Sequence, residues 1–269
     1  MAKIGGVTIE RSVSLDGRSV RYLEAGGGRP LILLHPFPFS ADAWRPQLDR
    51  VPDGWRFLAP DLRGFGPSSA GGAPALTMDD HARDVVALMD AWKVERAAIA
   101  GLSMGGYIAF ALFRLAPERI DALVLADTRP QPDTPEGRKG RLALLETLRS
   151  NGVSAVADDM LPKLLGETTR RERPTVVAQV RAMIEEAAPA AIEASVQALL
   201  SRPDSTSDLA RIGCPAIVIV GEEDTITPPA DARAMHAAMA GAQLTVLPRA
   251  GHLSNLEVPD EFTNALRIK

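Results

Sequence analysis

The run Ala98-Ile99-Ala100-Gly101-Leu102-Ser103-Met104-Gly105-Gly106 constrains this chain more than any other stretch. Apolar strand-type residues stop at Gly101, a serine follows two residues on, and Gly105 opens a helical pattern. A strand that becomes a helix within so few residues forces the central serine into strained backbone angles and crowds its neighbours. Glycine is the least hindered residue for the two flanking positions, Gly101 and Gly105. Such a corner holds a hydroxyl clear of the surface, within reach of a base, and aims the free N–H groups of the new helix at developing negative charge. An ordinary Gly-rich turn would explain neither the strand before Ser103 nor the helix after it. The spacing predicts a nucleophilic serine at the carboxyl end of a buried strand.

The flanking pattern fits that corner. Thr8–Leu15 and Arg18–Glu24 alternate like two strands joined at Asp16-Gly17, a hairpin signal. Continuous apolar runs at 30–35, 97–102, 120–126 and 216–221 read as strands buried on both faces of a parallel sheet, and Trp55–Pro60 and Leu244–Leu247 complete the set. Ala41–Asp49 reads as a short helix carrying Trp44. Thr77 with Asp80 makes a capping box, with Ala82, Val85, Val86 and Met89 as the apolar stripe behind it. Ile108, Leu112 and Leu115 mark the core face of the helix after Ser103, and Pro229–Met239 and a segment after Pro259 read as further helices.

Strands alternating with helices predict an α/β fold, a doubly wound, mostly parallel eight-stranded sheet. From Arg129 to Arg211 no strand-like run occurs. Val176, Val177, Val180, Met183 and Ile184 form one helical stripe there, and Ile192, Val196, Leu199 and Leu200 another. The expected organisation is therefore a core of residues 1–128 and 212–269 with a helical cap at 129–211.

Composition matters chiefly for what it excludes. A net charge of −4 offers no basic surface to nucleic acid or anionic lipid. Met1–Gly5 lacks the apolar core of a signal segment, no run approaches membrane-spanning length, and the single cysteine, Cys214, suits a reducing compartment. A cytoplasmic protein is expected, with Cys214 as a buried core thiol. No ligand cluster has zinc spacing and no GxGxxG follows a strand, so neither a metal nor an organic cofactor is expected.

A serine nucleophile needs a base, and the base needs an orienting acid. Among the four histidines, His81 falls near the polar face of a helix and His236 sits among Ala and Met in another. His35 closes a buried strand and is expected to brace its loop. His252, in the loop Pro248-Arg249-Ala250-Gly251-His252 after the last strand, is the best base.

Two acids compete: Asp224, after the next-to-last strand, and Asp127, one strand earlier. Arg129 offers Asp127 a local ion-pair partner, whereas Pro228 and Pro229 would hold the Asp224 loop still. Asp61 reads as a turn carboxylate paired with Arg63, and Glu222 and Glu223 as exposed. For a developing oxyanion the donors expected are the backbone N–H of Met104 and that of Phe37, since Pro36 and Pro38 have none.

Together these segments resemble the α/β-hydrolase superfamily almost end to end. The resemblance rests on the elbow Gly101-Leu102-Ser103-Met104-Gly105-Gly106, the turn Asp61-Leu62-Arg63-Gly64-Phe65-Gly66-Pro67-Ser68, the acid loop Gly221-Glu222-Glu223-Asp224 and the loop Ala250-Gly251-His252. Within that superfamily the chain is similar to small capped esterases, enol-lactone hydrolases of aromatic catabolism and cofactor-free perhydrolases. It departs from them at His35-Pro36-Phe37-Pro38, where they usually carry His-Gly-x-Pro.

The resemblance implies a Ser103–His252–Asp224 triad cleaving a small to medium carboxylic ester, with Met160, Leu164 and Met183 lining the substrate pocket. A lactone or a C–C bond would use the same triad, and peroxide could compete with water as in perhydrolases. Receptor-like relatives usually lose a triad member, and here all three are present.

Overall fold

The computed structural model describes residues 7–67 and 76–268; Met1–Gly5 and Ser68 lie outside the described residues. In chain order the elements are β1 (Ile9–Leu15), β2 (Arg18–Gly26), β3 (Arg29–Leu34), α1 (Arg45–Leu48, continuing a 3-10 turn over Ala41–Trp44), β4 (Trp55–Pro60), α2 (Met78–Ala91), β5 (Ala97–Leu102), α3 (Met104–Leu115) and β6 (Ile120–Ala126). Then come α4 (Pro135–Leu164), α5 (Glu167–Glu172), α6 (Pro174–Glu185), α7 (Pro189–Ser201), β7 (Ala216–Gly221), α8 (Pro229–Ala238), β8 (Gln243–Leu247), α9 (Ser254–Glu257) and α10 (Pro259–Ala265).

One eight-stranded sheet runs in the order β1-β2-β4-β3-β5-β6-β7-β8. The β1–β2 hairpin and the β2–β4 pair are antiparallel, and every pair from β4–β3 onward is parallel. Every residue of β5 and of β7 is buried, as are Leu31–Leu34 of β3, because helices cover both faces of the parallel strands. The chain places β4 on one side of β3 and β5 on the other, so the loops leaving β3 and β5 diverge. That topological switch opens a crevice at the carboxyl ends of the strands, where doubly wound folds place their ligands.

The Thr77–Asp80 capping box forms as expected, with both reciprocal bonds present. Two expectations for helix faces do not hold. His81 is fully buried, because the core-facing stripe of α2 is wide enough to include Met78, His81, Val85 and Leu88. Leu115, at the last position of α3, is about half exposed. Cys214 is half-buried against the core, and burial pushes its thiol upward.

Residues 135–201 form four helices, in which α4 packs on α6 and α7. Gly152 interrupts α4 with extended, left-handed angles (φ 79°, ψ −175°), dividing it into two arms. No helix among the described residues is long and apolar enough to cross a membrane.

The β5–α3 corner packs backbone against backbone. A Cβ on Gly105 would be driven into the carbonyl of Leu34 on β3, and one on Gly101 into the carbonyl of Gly105. Gly105→Ala is therefore expected to lower stability by about 1–3 kcal/mol or more, through overpacking against immobile backbone. Gly140, exposed on α4 with nothing near the position of a Cβ, is expected to gain roughly 0.5–1 kcal/mol on replacement by alanine. Denaturant unfolding of the two variants checks both signs.

Candidate active site

Ser103 sits between β5 and α3 with φ 52° and ψ −110°. A non-glycine residue in that region costs about 1–3 kcal/mol and persists only where the surroundings over-determine it. Here they do. The Ser103 N–H donates to the carbonyl of Ala126 at 2.9 Å, and its carbonyl accepts from the Thr128 hydroxyl at 2.9 Å and the Gly106 N–H at 2.9 Å. Both ends of the peptide are pinned to β6 and α3, and none of these bonds uses the side chain.

Three loops converge on it. His252, in the loop after β8, is 2% exposed, and its Nε2 lies 2.8 Å from Ser103 Oγ. On the opposite side of the ring Nδ1 lies 2.8 Å from Asp224 Oδ2, in the loop after β7. An ionised carboxylate only accepts, so Nδ1 carries the proton and Nε2 is left to accept from the serine hydroxyl.

Asp224 is buried and fully engaged. The N–H groups of Ile226 and Thr227 donate to its Oδ1 at 2.8 and 3.0 Å, and the Thr227 hydroxyl donates to Oδ2 at 2.6 Å. Burial alone would raise this carboxyl, but the facing His252 and these donors hold it below the usual carboxylate range. For His252, burial works downward, and the Asp224 charge and hydrogen bond more than reverse it, so the ring titrates above its ordinary 6.5.

Asp127 follows β6 close to the same place and makes its hydrogen bonds to residues other than His252. Its Oδ1 accepts the Gly221 N–H at 2.8 Å and its Oδ2 the Ser254 hydroxyl at 2.5 Å, so it ties the ends of β6 and β7 to the first residue of α9. Burial, and then the charge of Asp224, hold its carboxyl well above the usual range. Of the two acids, Asp224 carries the negative charge that faces the histidine. Arg129 is not the partner of Asp127; it lies 3.9 Å from Asp133 and 3.8 Å from Asp231 instead.

Around the serine, the loop after β3 is braced as expected. His35 Nε2 accepts the Leu62 N–H at 3.0 Å, which leaves Nδ1–H to donate to the Pro36 carbonyl at 2.9 Å. Complete burial lowers this imidazole to about 3, so it stays neutral. Phe37 is buried in that loop, its ring edge-on to Phe65 at 6.5 Å, and Met104 is the first residue of α3, fully buried.

Asp61 pairs not with Arg63 but with Arg21 (3.3 Å) and the Ala41 N–H (2.8 Å), while Arg63 reaches Asp84 at 2.5 Å. Burial, against the pull of Arg21, pushes Asp61 up to about 6. His236 lies half-exposed on α8. Met183 lines a cavity of about 440 Å³ beside the β3 loop, with Pro38, Phe39, Phe65 and Ala187. Leu164 is buried and Met160 half-buried, and neither is in that cavity's wall.

Thr227, Ser254 and Glu257 join the site without a local pattern that assigns them, and Glu223 departs from the exposed position expected of it. It is half-buried, accepting from Thr168 N–H at 2.8 Å and from the Thr168 hydroxyl at 2.5 Å. Thr227, three residues after an aspartate, is an Asx-turn signal. Ser254, Asn255 and Glu257 stand out as polar residues in the otherwise apolar stretch after His252.

Residues 29–259 match the family model described as alpha/beta hydrolase fold. The chain is similar to a thermophilic esterase from Thermogutta terrifontis, at 36% identity with a TM-score of 0.89 over 97% of each chain. It is also similar to an enol-lactonase from Burkholderia xenovorans, at 29% identity with a TM-score of 0.86 over 95% of this chain and 98% of that one. Among curated sequences it is 26% identical to 3-oxoadipate enol-lactonase 2 of Acinetobacter baylyi, over 88% of this chain and 86% of that protein.

A serine activated through His252 loses its reactivity when that ring is protonated. Because the ring titrates above 6.5, the rate at which a fluorophosphonate labels Ser103 is expected to fall on the acid side with an apparent pKa above that value. Asp224→Asn removes the main upward influence, so the same limb should move to lower pH. An acid limb that stays in place in that variant would separate His252 from Asp224.

Proposed function

We propose that this chain, which belongs to the alpha/beta hydrolase family, hydrolyses small to medium carboxylic esters through an acyl-enzyme on Ser103. The observation that carries the proposal is the unbroken chain from Asp224 through His252 to Ser103, with both hydrogen bonds at 2.8 Å and a strained serine backbone at its end. In this reading Ser103 Oγ attacks the ester carbonyl carbon while its proton passes to His252 Nε2. The N–H groups of Phe37 and Met104 hold the resulting oxyanion, and the positive end of α3 adds to their field.

As the tetrahedral adduct collapses, His252 returns the proton to the departing alcohol and the acyl group remains on Ser103. Water then attacks the acyl-enzyme, giving its proton to His252, and the carboxylic acid leaves as Ser103 recovers its hydroxyl. Asp224 keeps the proton on Nδ1 throughout and stabilises the imidazolium. The esterase and enol-lactonases that this chain resembles support an acyl-transfer chemistry of this class. A lactone ring enters the same cycle, since its alcohol leaves the carbonyl without leaving the molecule. A C–C bond substrate, or peroxide in place of water at the second step, uses the same groups.

Residues 129–211 are read as a cap that sets specificity and supplies no chemistry, for they contain no histidine or cysteine. Met183, on α6, lines the cavity beside the Phe37 loop, whose wall includes Pro38 and Phe39 but neither Ser103 nor His252; in this reading it senses acyl or alcohol size.

Ser103→Ala is expected to reduce ester turnover to the residual that the oxyanion donors provide. Asp224→Asn should lower kcat by about 10⁴, because the histidine then takes the wrong tautomer. Asp127→Asn, whose amide can accept from Gly221 and donate to Ser254, should cost no more than about tenfold. The reverse order for the two aspartates would assign the acid to the wrong strand.

Met183→Ala should change relative kcat/KM across a series of acyl-chain lengths and lactones, at about 1–3 kcal/mol per methylene-sized change if the pocket is closed around it. Relative rates across the series unaltered from the parent would remove Met183 from the pocket.

A further inference from the structure

The turn joining α4 to α5 rests on the loop that carries His252. The Leu164 carbonyl accepts the Leu253 N–H at 3.2 Å, and a Cβ on Gly251 would be driven into the backbone of Leu165 and Gly166. Gly166 is equally closed in: a Cβ there would press on the Glu223 carboxylate and the Gly251 N–H. At the centre of this contact lies Glu257, 2% exposed, on α9. Its Oε1 accepts the Gly251 N–H at 2.9 Å and its Oε2 the Gly166 N–H at 2.9 Å. Arg173, ahead of α6, donates to the Glu257 carbonyl.

A carboxyl is rarely buried without compensating partners, and this one spends its two oxygens on two different loops. The first is the residue immediately before the base. The second belongs to the helical segment over the sheet.

We infer that Glu257 is a positioning residue for the hydrolytic cycle, setting the backbone of His252 through the Gly251 amide and docking the α4–α5 turn against it through the Gly166 amide. The inference rests on Ser103 and His252 acting as nucleophile and base. Its chemistry requires two acceptor oxygens. An amide side chain offers one, and its NH₂ would meet the other N–H donor head-on. Losing either bond releases the histidine loop from the turn above it, and small misplacements of a catalytic group cost rate steeply.

Three carboxyls lie near His252, namely Asp224, Asp127 and Glu257, so removing the charge of Glu257 shifts the titration of the ring whatever its positional role. The decisive quantity is therefore kcat on the alkaline plateau, where His252 is neutral. Turnover of a short-chain ester is normalised to active sites counted with a fluorophosphonate, so that misfolded protein is not included.

Glu257→Gln is expected to lower plateau kcat per labelled site by about 10–100-fold, with KM for the short ester within about twofold of the parent. The low-field proton signal between His252 and Asp224 should shift or broaden in the same variant. Should Glu257→Gln yield no folded sites, Glu257→Asp, which keeps the charge but draws the carboxylate back by one methylene, is expected to show the same loss. Parent-like plateau kcat per site in the folded variant, with only a lower melting temperature, overturns the inference. Ser103→Ala, run alongside, separates this from the underlying reading: full turnover in that variant overturns the reading itself.

Discussion

The backbone of Ser103 is the constraint on which the rest of the site depends. Its left-handed φ is held by hydrogen bonds from both sides of the peptide, and those bonds require β6 and α3 to lie hard against the corner. Such proximity leaves no room for side chains at Gly101, Gly105 or Gly106, where a Cβ would meet Gly105, Leu34 and Thr128 respectively. One strained residue thus dictates the composition of its neighbours on both β5 and α3. In return the hydroxyl is held at the β5–α3 corner, 2.8 Å from His252 Nε2.

Charge in the buried region behind the serine is distributed unevenly, and the unevenness decides which carboxyl does what. Asp224 and Asp127 both end apolar strands and both are buried, yet they receive different donors. Asp224 faces His252 and accepts from Thr227 and Ile226, which keeps it ionised; burial, and then the like charge of Asp224, hold Asp127 well above the usual range. A histidine between two ionised carboxylates would bind its proton too tightly to pass it on. With Asp224 as its hydrogen-bonded carboxylate, the ring titrates above its ordinary 6.5.

The helices of 135–201 are joined to this region by hydrogen bonds to carboxylates rather than by apolar contact alone. Glu223, beside Asp224, grips Thr168, and Glu257, five residues after His252, reaches Gly166. Acid loop and base loop are therefore each fastened where α4 gives way to α5, the one at Thr168 in the first turn of α5 and the other at Gly166 just ahead of it. Any movement of that turn is mechanically linked to both.

Much of this was legible in the chain itself. Continuous apolar runs identified β3, β5, β6 and β7, because a strand covered on both faces has no polar side to disguise it. The glycine spacing about Ser103 announced the corner, since backbone contact tolerates nothing larger. The strand-end positions of Asp224 and His252 followed from element order alone. What stayed hidden was partnership. Asp61 was matched with nearby Arg63 but binds Arg21, Asp127 was matched with Arg129 but binds Ser254 and Gly221, and Glu223 and Glu257 gave no sign of their hold on the α4–α5 turn. His81 looked polar-faced and is buried. Local pattern reports the conformation of a segment because propensity and periodicity act over a few residues. A side chain's partner is chosen by which strand ends lie together, and the order β4-β3-β5-β6-β7-β8 brings Ser103 to a histidine 149 positions away, a juxtaposition only the closed sheet decides.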